Sequence, residues 1–465
     1  MDIRFFHHIS SILGILLGSM LLTACAVPNP ELALEEFNQA ISGRIPGAVV
    51  WRSDAEEDIA VDARVEALVA EPLTVQSSVQ VALLNNRSLQ ARYASLGIAQ
   101  AEAVQLGLLE NPLFEIMVRP STERGFNIEM GLMQNLVDLL MRPARRKLAD
   151  AEYEAEKLEL AAYLVGFVGD VQGAYYNYKG ALSVLQLVED ITSTASDAAD
   201  LAKAFYDAGN MTELELAAQQ AKAGMADIDR LEAEQDARES RLELSEFLGM
   251  GHDGEWRVES SLSSIPDAHV RLANLEDKAL RNRFDLAAHR AEIRAAIVEL
   301  GLEEDFGLLE GTEFSVSAEK EPEGDWLIGP ALTVPLPLFD QGQARVTAAS
   351  MALRRAQDEL LAEQAHIRLE VKKAIDALEL SRRRAEHLRQ IVLPLKERIV
   401  RLTLLDYNFM LESPFHLLEA QQHQNETALD YVEALTDYWI ARSALQAATG
   451  GGALPTETIL PGDAS

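Results

Sequence analysis

The residues able to do chemistry are few, and their spacing limits what that chemistry is. Cys25 is the single thiol among 465 residues, which removes disulfide frameworks, zinc knuckles and CxxC redox pairs together. His416 and His423 stand seven apart, nearly on one helix face. Two turns hold them roughly 10 Å apart, too far for one ion, and they read as two solvated side chains. Met130, Met133 and Met410 carry the soft sulfur that a metal path would use, and are equally the filler of an apolar wall. A GxSxG nucleophile turn, an HExxH zinc helix and a glycine-rich phosphate loop are all missing from the sequence. No catalytic constellation emerges, and no resident metal or other cofactor is expected.

Charge narrows the partners. With 74 acidic and 41 basic residues the net charge is 41 − 74 = −33, and the short runs Arg142-Pro143-Ala144-Arg145-Arg146-Lys147 and Arg382-Arg383-Arg384 do not offset it. Nucleic acid is therefore not a partner, because attraction to phosphate needs clustered Lys and Arg. Hydrophobic residues make up 48%, too many for a solvated acidic coil.

The elements that position these residues begin with an export signal. Arg4, His7 and His8 precede an apolar core from Ile12 to Leu22, followed by small residues. Leu22-Thr23-Ala24-Cys25 resembles the lipobox of bacterial lipoproteins, and that resemblance implies cleavage before Cys25 and covalent lipid on it. The mature chain then has 465 − 24 = 441 residues. Ala26 is not the aspartate that would suggest retention at the inner membrane, so the outer membrane is the default address, and two or three acyl chains anchor firmly. Beyond Cys25 no stretch approaches the 18 or more apolar residues of a spanning helix. A membrane crossing would have to be a closed β-barrel.

Two proline-free tracts, Pro143 to Pro266 and Pro337 to Pro394, are rich in helix formers. Leu148, Ala151, Ala155, Leu158, Ala162, Val165 and Val168 recur at three and four spacing, which predicts long amphipathic helices. An internal duplication is also visible. Ala82–Glu102 aligns without gaps on Ala279–Glu299 at an offset of 197, with eight identities in 21 columns, among them Asn85/Asn282 and Leu89/Leu286. The copies close in parallel at Phe247-Leu248-Gly249 and Ala447-Ala448-Thr449-Gly450.

Each copy carries a strand pair. Phe114, Ile116 and Val118 alternate with Glu115, Met117 and Arg119, and Phe126, Ile128, Met130 and Leu132 with Asn127, Glu129, Gly131 and Met133. In the second copy Phe314, Val316 and Ala318 alternate with Glu313, Ser315, Ser317 and Glu319; Ile328, Leu332 and Val334 face away from Gly329, Ala331 and Thr333. The length and alternation are those of outer-membrane strands. Polar turns are expected at Pro120–Gly125 and Glu321–Asp325.

With these pieces in place, residues 70 to 450 resemble the TolC-type outer-membrane efflux family, especially its lipoprotein channel subunits. The residues that carry the resemblance are Ala82-Leu83-Leu84-Asn85-Asn86, Ala279-Leu280-Arg281-Asn282-Arg283-Phe284-Asp285-Leu286, Glu110-Asn111-Pro112, Pro335-Leu336-Pro337-Leu338-Phe339-Asp340-Gln341-Gly342-Gln343 and Leu417-Leu418-Glu419-Ala420-Gln421, leading through Asp437-Tyr438-Trp439 to Gly450. Glu412-Ser413-Pro414 departs from the glycine turn expected at that point. The resemblance implies a mainly α fold with a small β portion: a long-helix α-barrel plus four strands contributed to a trimeric, 12-stranded transmembrane β-barrel. Four strands alone are too few to close one.

Further implications are a homotrimer in outer-membrane lipid, a periplasmic adaptor protein and an inner-membrane RND-type transporter as partners, and helix tips at Tyr206–Leu214 and Tyr407–Phe415. Aperture candidates at those tips are Asp406, Glu412 and Glu419, with Glu213 and Glu215 in the first repeat. Phe409-Met410-Leu411 with Pro414-Phe415-His416-Leu417-Leu418 resembles the metal-efflux branch, favoured over drugs. The expected organisation is 1–24 signal peptide, 25–71 anchored extension, 72–265 first repeat, 266–450 second repeat and 451–465 flexible tail. The main rival is a periplasmic adaptor, which also has a lipobox and a helical hairpin, but has one hairpin where this chain has two with strands at their middle.

Overall fold

The computed structural model describes residues 30–52, 55–120, 125–251, 254–320 and 324–457. Cys25, the leader and the outermost residues of both strand turns lie outside the described residues. The described elements in chain order are helices α1 (Pro30–Ile41), α2 (Ala55–Val69), α3 (Val75–Asn85) and α4 (Arg87–Gly107), strands β1 (Leu113–Pro120) and β2 (Phe126–Asn135), helices α5 (Leu136–Asp207) and α6 (Glu213–Leu248) and strand β3 (His269–Val270). The second copy follows with α7 (Leu275–Asn282), α8 (Phe284–Phe306), β4 (Glu313–Lys320), β5 (Trp326–Thr333), α9 (Gln343–His387), α10 (Leu393–Asn408), α11 (Pro414–Ala448) and β6 (Thr456–Glu457). The architecture is mainly helical, with the four strands that alternation predicts.

The chain divides into two compact units. Among the described residues, one holds those within 95–153 and 294–353 with 30–35; the other holds those within 36–94, 154–293 and 354–457. The first contains the four-stranded sheet, the second the helix tips and the large helical core.

Each long helical tract extends past one of the two prolines that bound it in sequence. α5 has 72 residues and includes Pro143. A proline there removes one amide and leaves the Leu139 carbonyl without its partner, a single lost bond in a helix held by many buried side chains. Leu164, Val168, Val171, Tyr175 and Tyr178 form its buried stripe. In the second tract a π-helical turn, Leu388–Val392, stands immediately before Pro394. There the Leu393 amide donates to the Leu388 carbonyl, five residues back. Widening the turn by one residue is a recognised way for a helix to absorb a local mismatch, and helix resumes as α10.

The duplication is visible in hydrogen bonding as well as in sequence. Asn85 and Asn282 are the last residues of α3 and α7. The residue after each one caps the closing helix of its own copy. In the first copy the Asn86 side-chain amide donates to the carbonyls of Glu246 (3.2 Å) and Phe247 (3.0 Å), while Asn85 donates to Leu248 (3.0 Å) and Gly249 (2.9 Å). In the second, Arg283 donates to the Ala448 carbonyl (3.3 Å), and pairs with Asp285 and Glu370. An amide and a guanidinium thus satisfy the same orphan C-terminal carbonyls. Leu275, Ala279 and Leu286 then pack in one core with Ile367, Val371, Tyr438 and Leu445.

The segment before the first repeat is seated on its opening. Arg52, with a buried side chain, donates to the Leu84 carbonyl (3.3 Å) and the Asn85 side-chain oxygen (3.1 Å), and pairs with Asp58 (3.2 Å) and Asp62 (2.6 Å). Of the residues assigned to the C-terminal tail, Gly452 donates to the Arg44 carbonyl (2.8 Å) and Thr456–Glu457 pair with His269–Val270.

The closing glycines give a test. Gly249 has φ +66, and a Cβ there would lie 2.6 Å from the Asn85 carbonyl oxygen; Gly450 has φ +85, and its Cβ would meet Asn282 at 3.2 Å. Left-handed backbone alone costs a side chain about 1–2 kcal/mol. Gly249→Ala is therefore expected to lower the apparent melting temperature of the purified protein more than Gly450→Ala does. Equal or reversed losses would contradict the asymmetry between the two caps.

Candidate functional site

The sheet has the order β1-β2-β4-β5, with every neighbour antiparallel. Directly opposed residues share a face, so the register builds rows across all four strands. One face carries Phe114–Leu132–Val316–Pro330, Ile116–Met130–Ala318–Ile328 and Val118–Ile128–Lys320–Trp326. The other carries Leu113–Met133–Ser315–Ala331, Glu115–Gly131–Ser317–Gly329 and Met117–Glu129–Glu319–Leu327. One side is nearly all apolar, while the other is small, polar and acidic. Glu129 and Glu319 stand directly opposite each other, and Arg119 bridges to Glu129 at 3.3 Å.

In the single chain the apolar face is uncovered: Phe114 and Ile328 are each 66% exposed. Two edges are also open, those of β1 and β5. Pro330 falls on β5, an edge strand of the single chain, where a residue without an amide proton is tolerated. The sheet is a wall segment with its fatty side out and both margins unpaired. No described helix is long and apolar enough to cross a membrane. The methionine path suggested by residue type is not assembled here, because Met130 and Met133 lie on opposite faces of β2 and Met410 sits at a helix tip.

Two tips close the helical hairpins, built on one plan with different residues. In the first, Gly209 takes φ +74, the Asn210 amide donates back to the Phe205 carbonyl (2.9 Å), and Thr212 caps α6. In the second, 201 positions on, Met410 takes φ +58, the Leu411 amide donates to the Asp406 carbonyl (2.9 Å), and Ser413 caps α11. Both are Schellman-type stops. Glu412-Ser413-Pro414 is therefore no obstacle to the turn. Met410 occupies the left-handed position that a glycine would take, and Ser413 with Pro414 starts the next helix.

The aperture candidates separate by role. Glu215 accepts from the Thr212 amide (2.8 Å) and hydroxyl (2.7 Å), closing a capping box, and these bonds hold its carboxyl below the usual range. Its neighbour Glu213 is exposed in the same first turn. Asp406 is exposed in the last turn of α10. Glu412 pairs with His416 one turn on, and that hydrogen bond, then the Glu412 charge, then Glu419, raise the His416 pKa. Glu412, His416 and Glu419 thus form one charged face, whereas Asp406 stands before the turn. Glu419 also lines a cavity of about 430 Å³ with Phe415, Leu418, Val188, Met225 and Lys222. His416 as partner of Glu412 was readable from the i, i+4 spacing. His423 pairs with Glu426 at 2.9 Å, and among the described residues no group of three or more His, Cys, Asp or Glu is placed to hold a metal ion.

A second carboxylate pair lies away from the tips. Burial and a hydrogen bond to Glu292 push Glu159 up to about 7, with His289 bonded to the same Glu292 at 2.8 Å.

Residues 78–250 and 275–451 match the family of outer membrane efflux proteins, once for each repeat. The chain belongs to that family. It is an outer-membrane efflux channel, not an enzyme. The channel is 23% identical over 385 residues to the cobalt-zinc-cadmium resistance protein CzcC of Cupriavidus metallidurans, covering 82% of this chain and 91% of that one. Its fold is that of VceC from Vibrio cholerae (TM-score 0.67, 17% identity, 84% and 97% of the two chains). The Campylobacter jejuni CmeC outer membrane channel is similarly close (TM-score 0.67, 16% identity, 82% and 87%).

In an outer-membrane channel the apolar face of the sheet meets lipid. Ile328→Arg or Leu332→Arg is then expected to cost about 2–4 kcal/mol near the bilayer midplane and to reduce assembled channel in the outer membrane. Thr333→Arg, on the opposite face, should be tolerated. Equal yields of all three, measured by heat-resistant oligomer on gels, would contradict the assignment of faces.

Proposed function

We propose that the chain is a lipid-anchored homotrimer acting as the passive exit duct of a tripartite efflux system, with heavy-metal cations as the favoured cargo. The observation that carries this reading is the two-faced, four-stranded sheet with both edges open. Backbone groups in lipid must all be paired, and four strands cannot curl on themselves. Three copies supply twelve strands and remove every edge. Passive conduction follows from a sequence without a nucleotide loop, so energy comes from an inner-membrane transporter of the RND type through a periplasmic adaptor. The presence of two repeats, each interrupted by strands, argues against the chain being the adaptor itself. Metal cargo is supported by the likeness to CzcC, a cobalt-zinc-cadmium resistance protein. The face of the sheet that carries Glu115, Glu129 and Glu319 suits cations as well.

The anchor is tested at Cys25. Cys25→Ser is expected to abolish incorporation of radioactive palmitate and leave uncleaved precursor; undiminished label in the mutant would sink the lipoprotein reading.

A resting duct closes at its periplasmic mouth, where we place the tips. Glu412 and Glu419, repeated around a threefold axis, concentrate negative charge and attract cations. In planar bilayers the purified channel should show small, cation-selective conductance, blocked by multivalent cations from the periplasmic side. Glu412→Ala with Glu419→Ala should weaken both selectivity and block. The raised His416 pKa gives the pH sign. Below the ordinary histidine range His416 is charged and its pairing with Glu412 is complete; as pH rises through the raised value the proton leaves and the pairing is lost, uncovering Glu412. Block should therefore strengthen as pH rises through the raised His416 value, above the ordinary histidine range, and His416→Gln should remove that dependence. Wild-type block and selectivity in the double mutant would move the gate elsewhere.

A further inference from the structure

The open edges of the sheet decide what must lie beside it. Its four strands alternate in direction, so β1 and β5 run antiparallel. In a ring of copies, β5 of one chain meets β1 of the next, and the end of β5 lies beside the start of β1. Directly after β5 comes Val334-Pro335-Leu336-Pro337-Leu338-Phe339, in which Leu336, Leu338 and Phe339 are 78%, 72% and 92% exposed.

This segment is braced rather than slack. Two prolines fix its backbone, and the Leu338 amide donates to the Leu336 carbonyl at 2.8 Å. Its far end is tied down by Asp340, which accepts from the Gly342 amide (2.9 Å) and pairs with Arg345 (3.2 Å). Arg345 in turn pairs with Glu303 (3.0 Å) and donates to the Gly307 carbonyl (2.9 Å). Three large apolar side chains are thereby held off their own chain in a fixed arrangement.

The segment that enters β1 offers the complement. A cavity of about 240 Å³ lies between α4 and the start of α5, lined by Val104, Gly107, Leu108, Arg142, Arg146 and Tyr153. Leu108 in its wall and Leu113 at the start of β1 remain exposed. Its apolar part, Ala103, Val104 and Leu108, suits one aromatic or branched side chain, and among its polar residues, which include Gln100 and Asp150, the guanidinium groups of Arg142 and Arg146 favour the face of an aromatic ring.

We propose that the Val334–Phe339 loop of one chain plugs the α4–α5 cavity of the next copy, with Phe339 as the plug. The inference rests on the trimeric reading above. The distances to be bridged are short: neighbouring strands lie about 4.8 Å apart and packed helices about 8–10 Å apart. The competing occupant is the lipid interface, which would take the same side chains into the bilayer.

The test uses the full-length chain in outer membranes, with Leu338→Cys and Leu108→Cys together and each alone as controls, and with Phe339 intact. Mild oxidation is expected to give a covalent dimer and trimer ladder on denaturing gels from the pair only. Native mass spectrometry of unoxidised samples reports the trimer independently. A trimer without a ladder overturns the plug and leaves the trimeric reading standing; a wild-type chain that is not trimeric overturns both. Phe339→Glu should lower the heat-resistant trimer fraction at least tenfold, and Phe339→Leu should retain most of it. Equal trimer from Phe339→Glu and wild type would also overturn the proposal. So would strong quenching of Phe339→Trp fluorescence by brominated lipid, which would assign the loop to the bilayer.

Discussion

A strand in lipid has no water to satisfy its backbone, so each of its amides and carbonyls must find a partner on another strand. Most of this protein follows from that constraint. Four strands in one antiparallel sheet leave two margins unpaired, and the apolar face they present is exposed in the isolated chain. A single copy is therefore an incomplete object. The alternation of up and down strands, an even number per chain, lets identical copies continue the same pattern around a ring without a parallel seam.

The helical part meets a different constraint, which is to stop and restart long helices without losing hydrogen bonds. Each hairpin ends in a left-handed residue followed by a hydroxyl cap, Gly209 with Thr212 and Met410 with Ser413. Each repeat closes with another left-handed residue, Gly249 or Gly450, seated on the helix that opened it. The same four structural jobs are done twice, by side chains that differ where chemistry permits. Asn86 and Arg283 are the clearest case, since both reach the orphan carbonyls of a closing helix.

Much of this was legible in the sequence. Alternation located all four strands because a half-exposed strand has period two, and the ungapped match around Asn85 and Asn282 located the repeats. What alternation could not supply was register. The rows that place Glu129 against Glu319, or separate Met130 from Met133, exist only once strands pair. Prolines misled at helix ends: Pro143 costs one bond inside a 72-residue helix, and the π-helical turn before Pro394 leaves no mark in composition. At the tips, Glu215 carries an aperture-like charge, yet Thr212 and Glu215 have the spacing of a capping box, and the carboxylate is engaged there. Met410 was illegible for a steric reason, since its side chain gives no hint of left-handed backbone.

The difference between Gly209 and Met410 reaches beyond the single chain. In the proposed trimer, three duplicated chains present six hairpin ends, alike in backbone but alternating in chemistry around the ring. Three carry Phe409, Met410 and Leu411, exposed at 74%, 92% and 72%, where the other three have Ala208, Gly209 and Asn210 at the matching positions. Such a mouth has sixfold form and threefold surface. Any protein that grips it through apolar contact distinguishes every second position, and can dock in three equivalent orientations rather than six.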